Sequence, residues 1–394
     1  MKELEKLIQQ EYKYLLRWMW KWDKNFFKDF FSSIMSKQTT VMKRLSLKSY
    51  KKVDKITERN KHFFEKESFN NFPQKIEKRC FWMVWEIREN DYICIDEVDI
   101  AKPSAKKMQW ISKVRDWSTW KIVSWYIFHW VSIRWIPVIL EQEDLTNKFK
   151  SQYFWNIIDR VLNYSKRRWI FVLDAWYDIA SYMQFLNKRK ANYIIRAKKD
   201  RWYFDVKNNK KLKLKEFSDW VYEVKIEKVE KTVYLHIKTN PKYDEPIRIL
   251  SNLFDIDTDE YQRRWEIEQI FKTMKQEFEI EKIWTSNLQV LKNTIATVQL
   301  AVAISRVVYN QTNSFREHQS LVVSKRFMNR FEKFTKSEWI TMNSNSIIKF
   351  ISFWLQKLYK TTKKPNQNYI NKNTDISSQM SLFTVWNLWK SGEI

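Results

Sequence analysis

The sequence predicts a mixed α/β protein in which helical regions flank a β-sheet core along the chain. Apolar residues recur with helical spacing up to about residue 85 and again beyond about 258, whereas buried runs and strict alternation in between indicate strands. Between about 90 and 200 the predicted order is three strands, a helix, a strand, a helix and a strand. That order favours a ribonuclease-H-like α/β core.

The individual elements of this core can be located from their patterns. The three strands are DYICIDEVDIAK, KIVSWYIFHWVSI and WIPVILEQED, and the alternating elements that follow are SQYFWNIIDRVLNY, RRWIFVLDAWY, DIASYMQFLNKRK and ANYIIRAKK. Alternation in WVYEVKIEKVEKTVYLHIKTN, followed by PIRILSNL, predicts an inserted β subdomain. Five regions are predicted. They are a helical region at 1–85, the first part of the ribonuclease-H-like core at 86–200, an inserted β subdomain at 201–257, the remaining part of the core with the helix of Glu268 at 258–310, and a helical C-terminal region with a polar tail at 311–394.

Helices dominate both ends of the prediction. KNFFKDFFSSIM places five apolar side chains on one helical face: Phe26, Phe27, Phe30, Phe31 and Ile34. The basic segment KRLSLKSYKKVDKITERNKHFFEK that follows is also predicted to be helical, so residues 1–85 are predicted to be a helical DNA-binding region whose basic outer face contacts the DNA backbone. QVLKNTIATVQLAVAISRVVYNQ predicts an apolar core helix, and TTKKPNQNYINKNTDISSQ a loose polar segment. No apolar run approaches the roughly 20 residues that span a bilayer, so no membrane partner is expected.

The charge of the chain points to a polyanionic partner. Lys and Arg number 72 against 46 Asp and Glu, a formal net charge of +26, which is typical of nucleic-acid binders. Solubility of a lysine-rich proteome is the alternative. Two cysteines, Cys80 and Cys94, and four scattered histidines indicate neither a disulfide framework nor a zinc site. The charged N-terminus is unlike a signal peptide, so a bacterial cytoplasmic, nucleoid-associated protein is expected.

Glycine is nearly absent from the chain. It contains one glycine and 22 tryptophans, where average usage would give about 28 glycines. Even the predicted hairpin link at 116–120, DWSTW, has tryptophan where φ > 0 is usual. We hypothesise that many tryptophans stand at glycine positions, because some bacteria read UGA as glycine where another code prints tryptophan. A tryptophan-rich core is the alternative. The candidate glycine positions are Trp117, Trp120, Trp125, Trp130, Trp135, Trp176 and Trp202.

Two aspartates occupy strands that should be neighbours. Asp96 lies within the first predicted strand, and Asp174 ends the otherwise apolar strand WIFVLD. A carboxylate there is costly unless it is paired or binds a cation, and two or three carboxylates suffice for Mg²⁺. Capping of the next helix is the alternative for Asp174. Glu97, Asp99 and Asp178 are nearby competitors, of which Asp99 falls on the opposite strand face from Asp96 and Asp178 most simply caps the following helix.

The helix YQRRWEIEQIFKTMK carries a narrow polar stripe. At 100° per residue, four side chains fall within an arc of about 60°, apart from the apolar face. These are Tyr261, Arg264, Glu268 and Lys275. Such a set could hold a phosphate backbone while the acid completes a metal site. A solvated face with helical salt bridges is the alternative.

These motifs resemble bacterial insertion-sequence transposases of the DDE class, in the branch with a Tyr-Arg-Glu-Lys signature. Tyr261, Arg264, Glu268 and Lys275 match the signature Y-x-x-R-x-x-x-E-x-x-x-x-x-x-K in full. VLDAWYD resembles the second-Asp block, with Trp176 at a glycine position and alanine at the usual arginine. IDEVDIAKP resembles the first-Asp block, and DWSTWKIVSWY an Asp-Gly-Ser segment. The resemblance spans about residues 25–310.

The resemblance implies a catalytic set and its partners. Asp96, Asp174 and Glu268 would bind two Mg²⁺ ions, for which Mn²⁺ can substitute, and Tyr261, Arg264 and Lys275 would bind DNA. The ions would support in-line cleavage and joining of element ends. The implied partner is double-stranded DNA, as element ends and target, bound by a dimer. The alternatives are a nuclease of the same fold without strand transfer and an inactive basic DNA-binding protein from a decayed element.

Overall fold

The computed structural model describes residues 53–84, 91–102, 112–115, 122–143, 150–164, 169–239, 245–283 and 285–318, with single positions between 14 and 41. The predicted link at 116–120, with Trp117 and Trp120, and the polar tail lie outside these residues. The chain divides into two compact units. The helical unit comprises Met1–Arg79, Lys107–Gln109 and Lys272–Ile394, and the sheet unit comprises Cys80–Lys106 and Trp110–Phe271.

Among the described residues, the sheet unit has one sheet of eleven strands. The strands are β1 (Tyr92–Ala101), β2 (Ser112–Arg115), β3 (Ile122–Ile133), β4 (Ile136–Gln142), β5 (Ile170–Leu173), β6 (Asn192–Arg196), β7 (Trp202–Asp205), β8 (Lys210–Lys213), β9 (Trp220–Lys225), β10 (Val233–Lys238) and β11 (Ile247–Ser251). The strand order is β2-β3-β1-β5-β6-β11-β10-β9-β7-β8, and β4 also pairs with β3.

Five of these strands confirm the predicted ribonuclease-H-like core. The order β4-β3-β1-β5-β6 has β3 antiparallel to both β4 and β1, while β5 lies parallel to β1 and β6 parallel to β5. If the short strand β2 is left out, these five strands are the third, second, first, fourth and fifth along the chain, and that is the strand order of a ribonuclease-H-like sheet. The short strand β2 pairs antiparallel with β3 ahead of β4 on the same edge.

The remaining strands extend the same sheet. β11 joins the core by antiparallel pairing with β6, and β10 pairs antiparallel with β11 and β9. The antiparallel strands predicted from alternation are therefore present. They extend the core sheet, because β11 pairs with β6 with Ile249 opposite Arg196, and they do not form a separate sheet.

Three helices of the sheet unit position the site. Helix α3 (Lys150–Tyr164) and helix α4 (Ala180–Lys188) connect β4 to β5 and β5 to β6, as predicted, and α5 (Trp265–Lys272) follows β11. Trp130 of β3 meets Phe271 of α5 at 5.4 Å between ring centroids, whereas His129 stacks on Tyr153 of α3 at 5.7 Å. Because neighbouring strand residues face opposite ways, α5 and α3 cover opposite faces of β3.

The helical unit has an aromatic core. It contains α1 (Val53–Glu65), most of α2 (Phe72–Met83) and α6 (Leu288–His318). The predicted apolar face is confirmed, because Phe26, Phe27, Phe30, Phe31 and Ile34 are helical and buried. Phe64 and Phe69 pack against these rings or against Phe72. The side-chain amides of Asn293 and Gln289 bind the carbonyl oxygens of Phe64 and Phe69, at 3.0 and 3.3 Å.

Helix α6 corrects one expectation about apolar runs. Leu288–Val307 is 20 residues long and apolar enough to cross a membrane by length and composition, so such a run does exist. In its most apolar window 89% of the residues are buried within the protein. The helix is therefore the core helix that its pattern predicts.

The candidate glycine positions differ in conformation. Arg134 and Trp135 form the two-residue link between β3 and β4 with φ values of 49° and 67°, the left-handed pair of a type I′ turn, which favours glycine second. Trp176 is 63% exposed and Trp202 47% exposed, both at negative or extended backbone angles. Trp130 is fully buried in β3, as the core-tryptophan alternative predicts. Trp135 is thus the described position that best fits the hypothesis.

Candidate active site

The sheet register brings Asp96 and Asp174 to neighbouring strands. Ile95 of β1 lies beside Leu173 of β5 in a parallel pair. Asp96 is the next residue on β1, and Asp174 directly follows the end of β5. The four residues of β5 are all buried, which explains why its first polar residue stands at the strand end. Asp96 and Asp174 therefore stand at the same level on neighbouring strands, at the carboxyl end of β5.

Asp174 fulfils the capping role that was its alternative interpretation. Its Oδ1 accepts a hydrogen bond from the backbone N of Ala175 at 2.7 Å and begins a 3₁₀ helix, Ala175–Tyr177. The same oxygen also accepts from the hydroxyl of Tyr261 at 3.3 Å. Capping occupies only part of the acceptor capacity of a carboxylate, so it is compatible with a role at the site.

The electrostatic environment of Asp96 is unfavourable for a bare carboxylate. Its Oδ1 accepts from the backbone N of Glu97 at 2.9 Å, and its Oδ2 lies 3.3 Å from Nη1 of Arg264. Burial raises the pKa of Asp96 to about 7, an effect opposed by Arg264 and strengthened by Asp174 and Glu268. Negative charge from three acids is thus concentrated here and only partly compensated.

The segment carrying the four-residue signature is not one uniform α-helix. Asp257 caps a 3₁₀ helix at Thr258–Arg264, α5 follows, and a π-helical turn occupies Thr273–Glu277. A 3₁₀ helix has three residues per turn, so Tyr261 and Arg264 eclipse each other. Glu268 stands four residues after Arg264, which again places it on the same side. The constant 100° rotation assumed for the stripe does not apply, yet the spacing still groups these three side chains.

Arg264 is the residue that joins the acids. Its Nη2 lies 2.5 Å from Oε1 of Glu268, and its Nη1 reaches Asp96. Burial by itself lowers the pKa of Arg264, but the surrounding Tyr261 and acids raise it above its ordinary value. Its side chain is 12% exposed. The guanidinium is therefore held as a cation between two predicted catalytic acids.

Lys275 is the last residue of the four-residue signature. It belongs to the helical unit and to the π-helical turn, where its ammonium group lies 3.2 Å from Oε1 of Glu281. The structure thus brings together Asp96, Asp174, Tyr261, Arg264 and Glu268 within the sheet unit. Lys275 as a DNA-binding residue stays a prediction.

The expected cap role of Asp178 is wrong. Helix α4 begins after Ile179, which makes no side-chain cap. The fully buried carboxylate of Asp178 instead accepts from the backbone N of Lys198 at 2.9 Å and forms an ion pair with Arg201. Asp178 therefore ties the turn after β5 to the chain after β6, a long-range partner that local sequence does not reveal.

The three acids suit a divalent cation by donor chemistry. Mg²⁺ prefers carboxylate oxygens, and two or three of them are enough because the ion keeps several waters. The raised pKa of Asp96 and the positive group already held between Asp96 and Glu268 are what a cation-binding site would show. Asp96, Asp174 and Glu268 therefore have the donor chemistry of such a site, but the group of ligand atoms that lies within 4.8 Å among the described residues is another one, formed by Glu97, His129 and Glu143.

Sequence reasoning missed a second cluster. Glu97, His129 and Glu143 place one ligand atom each within 4.8 Å of one another. A lone histidine in a strand gave no signal, because its acidic neighbours come from another strand and from the end of a third. Glu97 and His129 become neighbours only when β1 pairs with β3.

Comparison with known proteins gives one family match and similarity to a solved structure. Residues 146–304 match the family described as "Transposase DDE domain". That range includes Asp174 and Glu268 and begins after Asp96. No curated protein matches the chain. Among solved structures it is similar to a piggyBac transposase synaptic complex with hairpin DNA, at a TM-score of 0.47 and 9% identity, over 91% of this chain and 80% of that chain. Residues 146–304 are therefore similar in sequence to DDE transposases.

Proposed function

We propose that the protein is a DNA transposase that cuts and joins the ends of an insertion sequence by metal-dependent phosphoryl transfer. The observation that carries the proposal is that Arg264 contacts both Asp96 and Glu268, while Asp174, on the strand beside that of Asp96, accepts a hydrogen bond from Tyr261. The match of residues 146–304 supports the same chemistry. The full Tyr-Arg-Glu-Lys spacing supports membership of the insertion-sequence branch.

The reaction consists of two displacements at phosphorus. Water attacks the scissile phosphorus at the element end, the bond to the 3′ oxygen breaks, and a 3′-hydroxyl and a 5′-phosphate result. That 3′-hydroxyl then attacks a phosphorus of the target, forms a new ester bond and releases a target 3′-hydroxyl. No covalent enzyme intermediate is required.

Each side chain has a role in this scheme. Asp96, Asp174 and Glu268 would hold two Mg²⁺ or Mn²⁺ ions, which supply Lewis-acid stabilisation of the attacking and leaving oxygens when bound. The hydroxyl of Tyr261 orients Asp174 through its hydrogen bond. Arg264 keeps Asp96 and Glu268 together, and its planar guanidinium suits a phosphate oxygen of the DNA. Lys275 would add a further phosphate contact.

The proposal extends to partners and location. A net charge of +26 favours salt-sensitive binding of double-stranded DNA, both element ends and target. Joining two ends requires two active sites, so a dimer on DNA is proposed. Action on a bacterial chromosome implies the cytoplasm and association with the nucleoid. The helices before residue 85 are proposed to contact the DNA.

The test replaces the carboxylate of Asp174 by an amide of nearly the same shape. Asp174→Asn should lower Mg²⁺-dependent cleavage of element-end DNA by more than about 1000-fold, because the amide cannot supply a charged ligand. DNA binding, measured by fluorescence anisotropy, should change little. The matched control is Asp159→Asn, which alters an exposed ion pair with Arg189 and should leave cleavage unchanged.

Three outcomes separate the candidates. Cleavage with joining supports the transposase, and cleavage without joining on target DNA supports a nuclease of the same fold. DNA binding with no cleavage under any divalent cation supports an inactive protein from a decayed element. Cleavage retained by Asp174→Asn would remove Asp174 from the site.

A further inference from the structure

We propose that Glu97, His129 and Glu143 form a binding site for one divalent transition-metal ion, separate from the three acids described above. One ligand atom from each residue lies within 4.8 Å of the others. The site lies in the sheet unit and needs neither DNA nor the catalytic acids. Its natural ligand class is an ion that accepts both imidazole nitrogen and carboxylate oxygen.

The sheet itself sets the positions of the three side chains. Glu97 of β1 lies directly opposite His129 of β3 in the antiparallel register. Glu143 directly follows β4, and its backbone N donates to the carbonyl oxygen of Ile127 at 2.9 Å. Three adjacent segments thus contribute one side chain each, and two hydrogen-bonded ladders hold them in place.

The face of the sheet separates this cluster from the candidate active site. Asp96 and Glu97 are consecutive on β1, so their side chains point to opposite faces. The imidazole of His129 stacks on Tyr153 of α3, with 12° between the ring planes, which limits its rotation. The cluster therefore lies beneath α3, whereas α5 carries Glu268 on the other face.

The donor atoms need little movement to bind an ion. Nδ1 of His129 lies 3.7 Å from Oε1 of Glu97 and Nε2 lies 3.1 Å from Oε2 of Glu143, but one ion takes only one ring nitrogen, so the separation that matters is the 4.8 Å limit for one atom from each residue. Ligands at about 2.0–2.2 Å from a common ion can be no more than about 4.4 Å apart. Closure of less than about 1 Å from the largest separation suffices, which side-chain rotation can supply.

Burial makes the charge of the cluster significant. The side chains of His129 and Glu143 are 4% and 0% exposed, while Glu97 is 27% exposed and gives access from solvent. A divalent cation bound by His129 and Glu143 would therefore lie in a low-dielectric interior, where its attraction to a carboxylate is strong.

A neighbouring phenol provides an independent sign of an absent ligand. Tyr177 is 2% exposed, and its hydroxyl makes no hydrogen bond among the described residues. Burial raises the pKa of Tyr177, and its foremost charged neighbour is Glu97. A buried hydroxyl without a protein partner is unusual, and a water on an ion held by Glu97 would accept from it or donate to it.

The donor set indicates the class of metal. Imidazole favours zinc and neighbouring first-row ions over Mg²⁺ and Ca²⁺, and three protein ligands plus water is a common zinc arrangement. Zn²⁺ is therefore the probe. The competing occupant is a proton: a doubly protonated His129 would bridge both carboxylates without any metal.

The experiment measures bound zinc in a protein whose candidate active site lacks one of its acids. Full-length Asp174→Asn protein, with and without His129→Gln, is dialysed against Zn²⁺ alone, and bound zinc is measured by elemental analysis. We expect about one zinc per chain in the single variant and less than about 0.1 in the double variant. Glu143→Gln is a second test in case His129→Gln does not fold.

A matched histidine provides the control. His62 is exposed on α1, so Asp174→Asn with His62→Gln should keep its zinc. Zinc should also raise the melting temperature of the control and not that of the cluster variants. Equal zinc content in folded cluster and control variants, or no zinc in any of them, would overturn the proposal and favour the protonated bridge. Cleavage activity plays no part in this readout, so it is independent of the proposed function.

Discussion

The link between β3 and β4 allows a direct test of whether position 135 requires glycine. Trp135 has φ 67°, a conformation that costs residues with a Cβ about 1–2 kcal/mol and costs glycine nothing. Comparing Trp135→Gly with Trp135→Ala isolates this cost, because both variants lose the indole. The backbone N of Trp135 donates to Oε2 of Glu266 at 2.9 Å, and both variants retain that bond.

The expected result is a reversal of the usual order of alanine and glycine. At position 135 the glycine variant should have a free energy of unfolding about 1 kcal/mol above that of the alanine variant, after the greater unfolded-state entropy of glycine is subtracted. Trp202 begins the extended strand β7 and has no positive φ, so there the glycine variant should be about 0.5–1 kcal/mol less stable than alanine.

Urea unfolding followed by circular dichroism measures both pairs of variants. An alanine variant at 135 as stable as the glycine variant would refute the strain argument. The recoding hypothesis has its own test, because the codons can be read directly. UGA should stand at position 135, whereas UGG at most candidate positions would contradict the hypothesis.

Three further changes test the candidate site and its support. Arg264→Lys keeps the charge but loses the fork that reaches Asp96 and Glu268, so cleavage should fall about 100-fold; activity within about twofold of wild type would contradict this. Tyr261→Phe removes one hydrogen bond to Asp174 and should slow cleavage about tenfold at unchanged melting temperature; an equal effect of Tyr234→Phe would show that the loss is nonspecific. Asp178→Asn should lower the free energy of unfolding in urea by about 3 kcal/mol, because Arg201 loses its buried partner; a change below about 1 kcal/mol would be inconsistent with this.

Local pattern was sufficient for the elements of the core. The fully apolar run of β5 predicts a buried strand, and alternation in the region of β9 and β10 predicts half-buried antiparallel strands. The succession of strands and helices then leaves few topologies, because parallel neighbours need a helical crossover. The ribonuclease-H order and the proximity of Asp96 and Asp174 could therefore be anticipated from sequence.

Contacts between distant segments could not be anticipated in the same way. The bond of Asp174 with Tyr261 and the placement of Arg264 between two acids depend on how Thr258–Arg264 winds as a 3₁₀ helix. Propensity does not distinguish that winding from an α-helix. Asp178 likewise finds Arg201 only through folding of the chain around β6.

The strand β1 links the two proposed sites through its register. Asp96 and Glu97 are adjacent, so a shift of β1 by one residue would exchange the side chains offered to the two faces. Such a shift would bury Glu97 beneath α5 and remove Asp96 from the acids. Antiparallel pairing with β3 from Ile93 to Ala101 and parallel pairing with β5 oppose this shift from both sides. An ion bound by Glu97, His129 and Glu143 would add a third restraint, since those ligands converge only in the observed register. A metal ion at that cluster would thus act on Asp96, one of the proposed catalytic acids, through the strand that carries Asp96 and Glu97, without contacting the DNA.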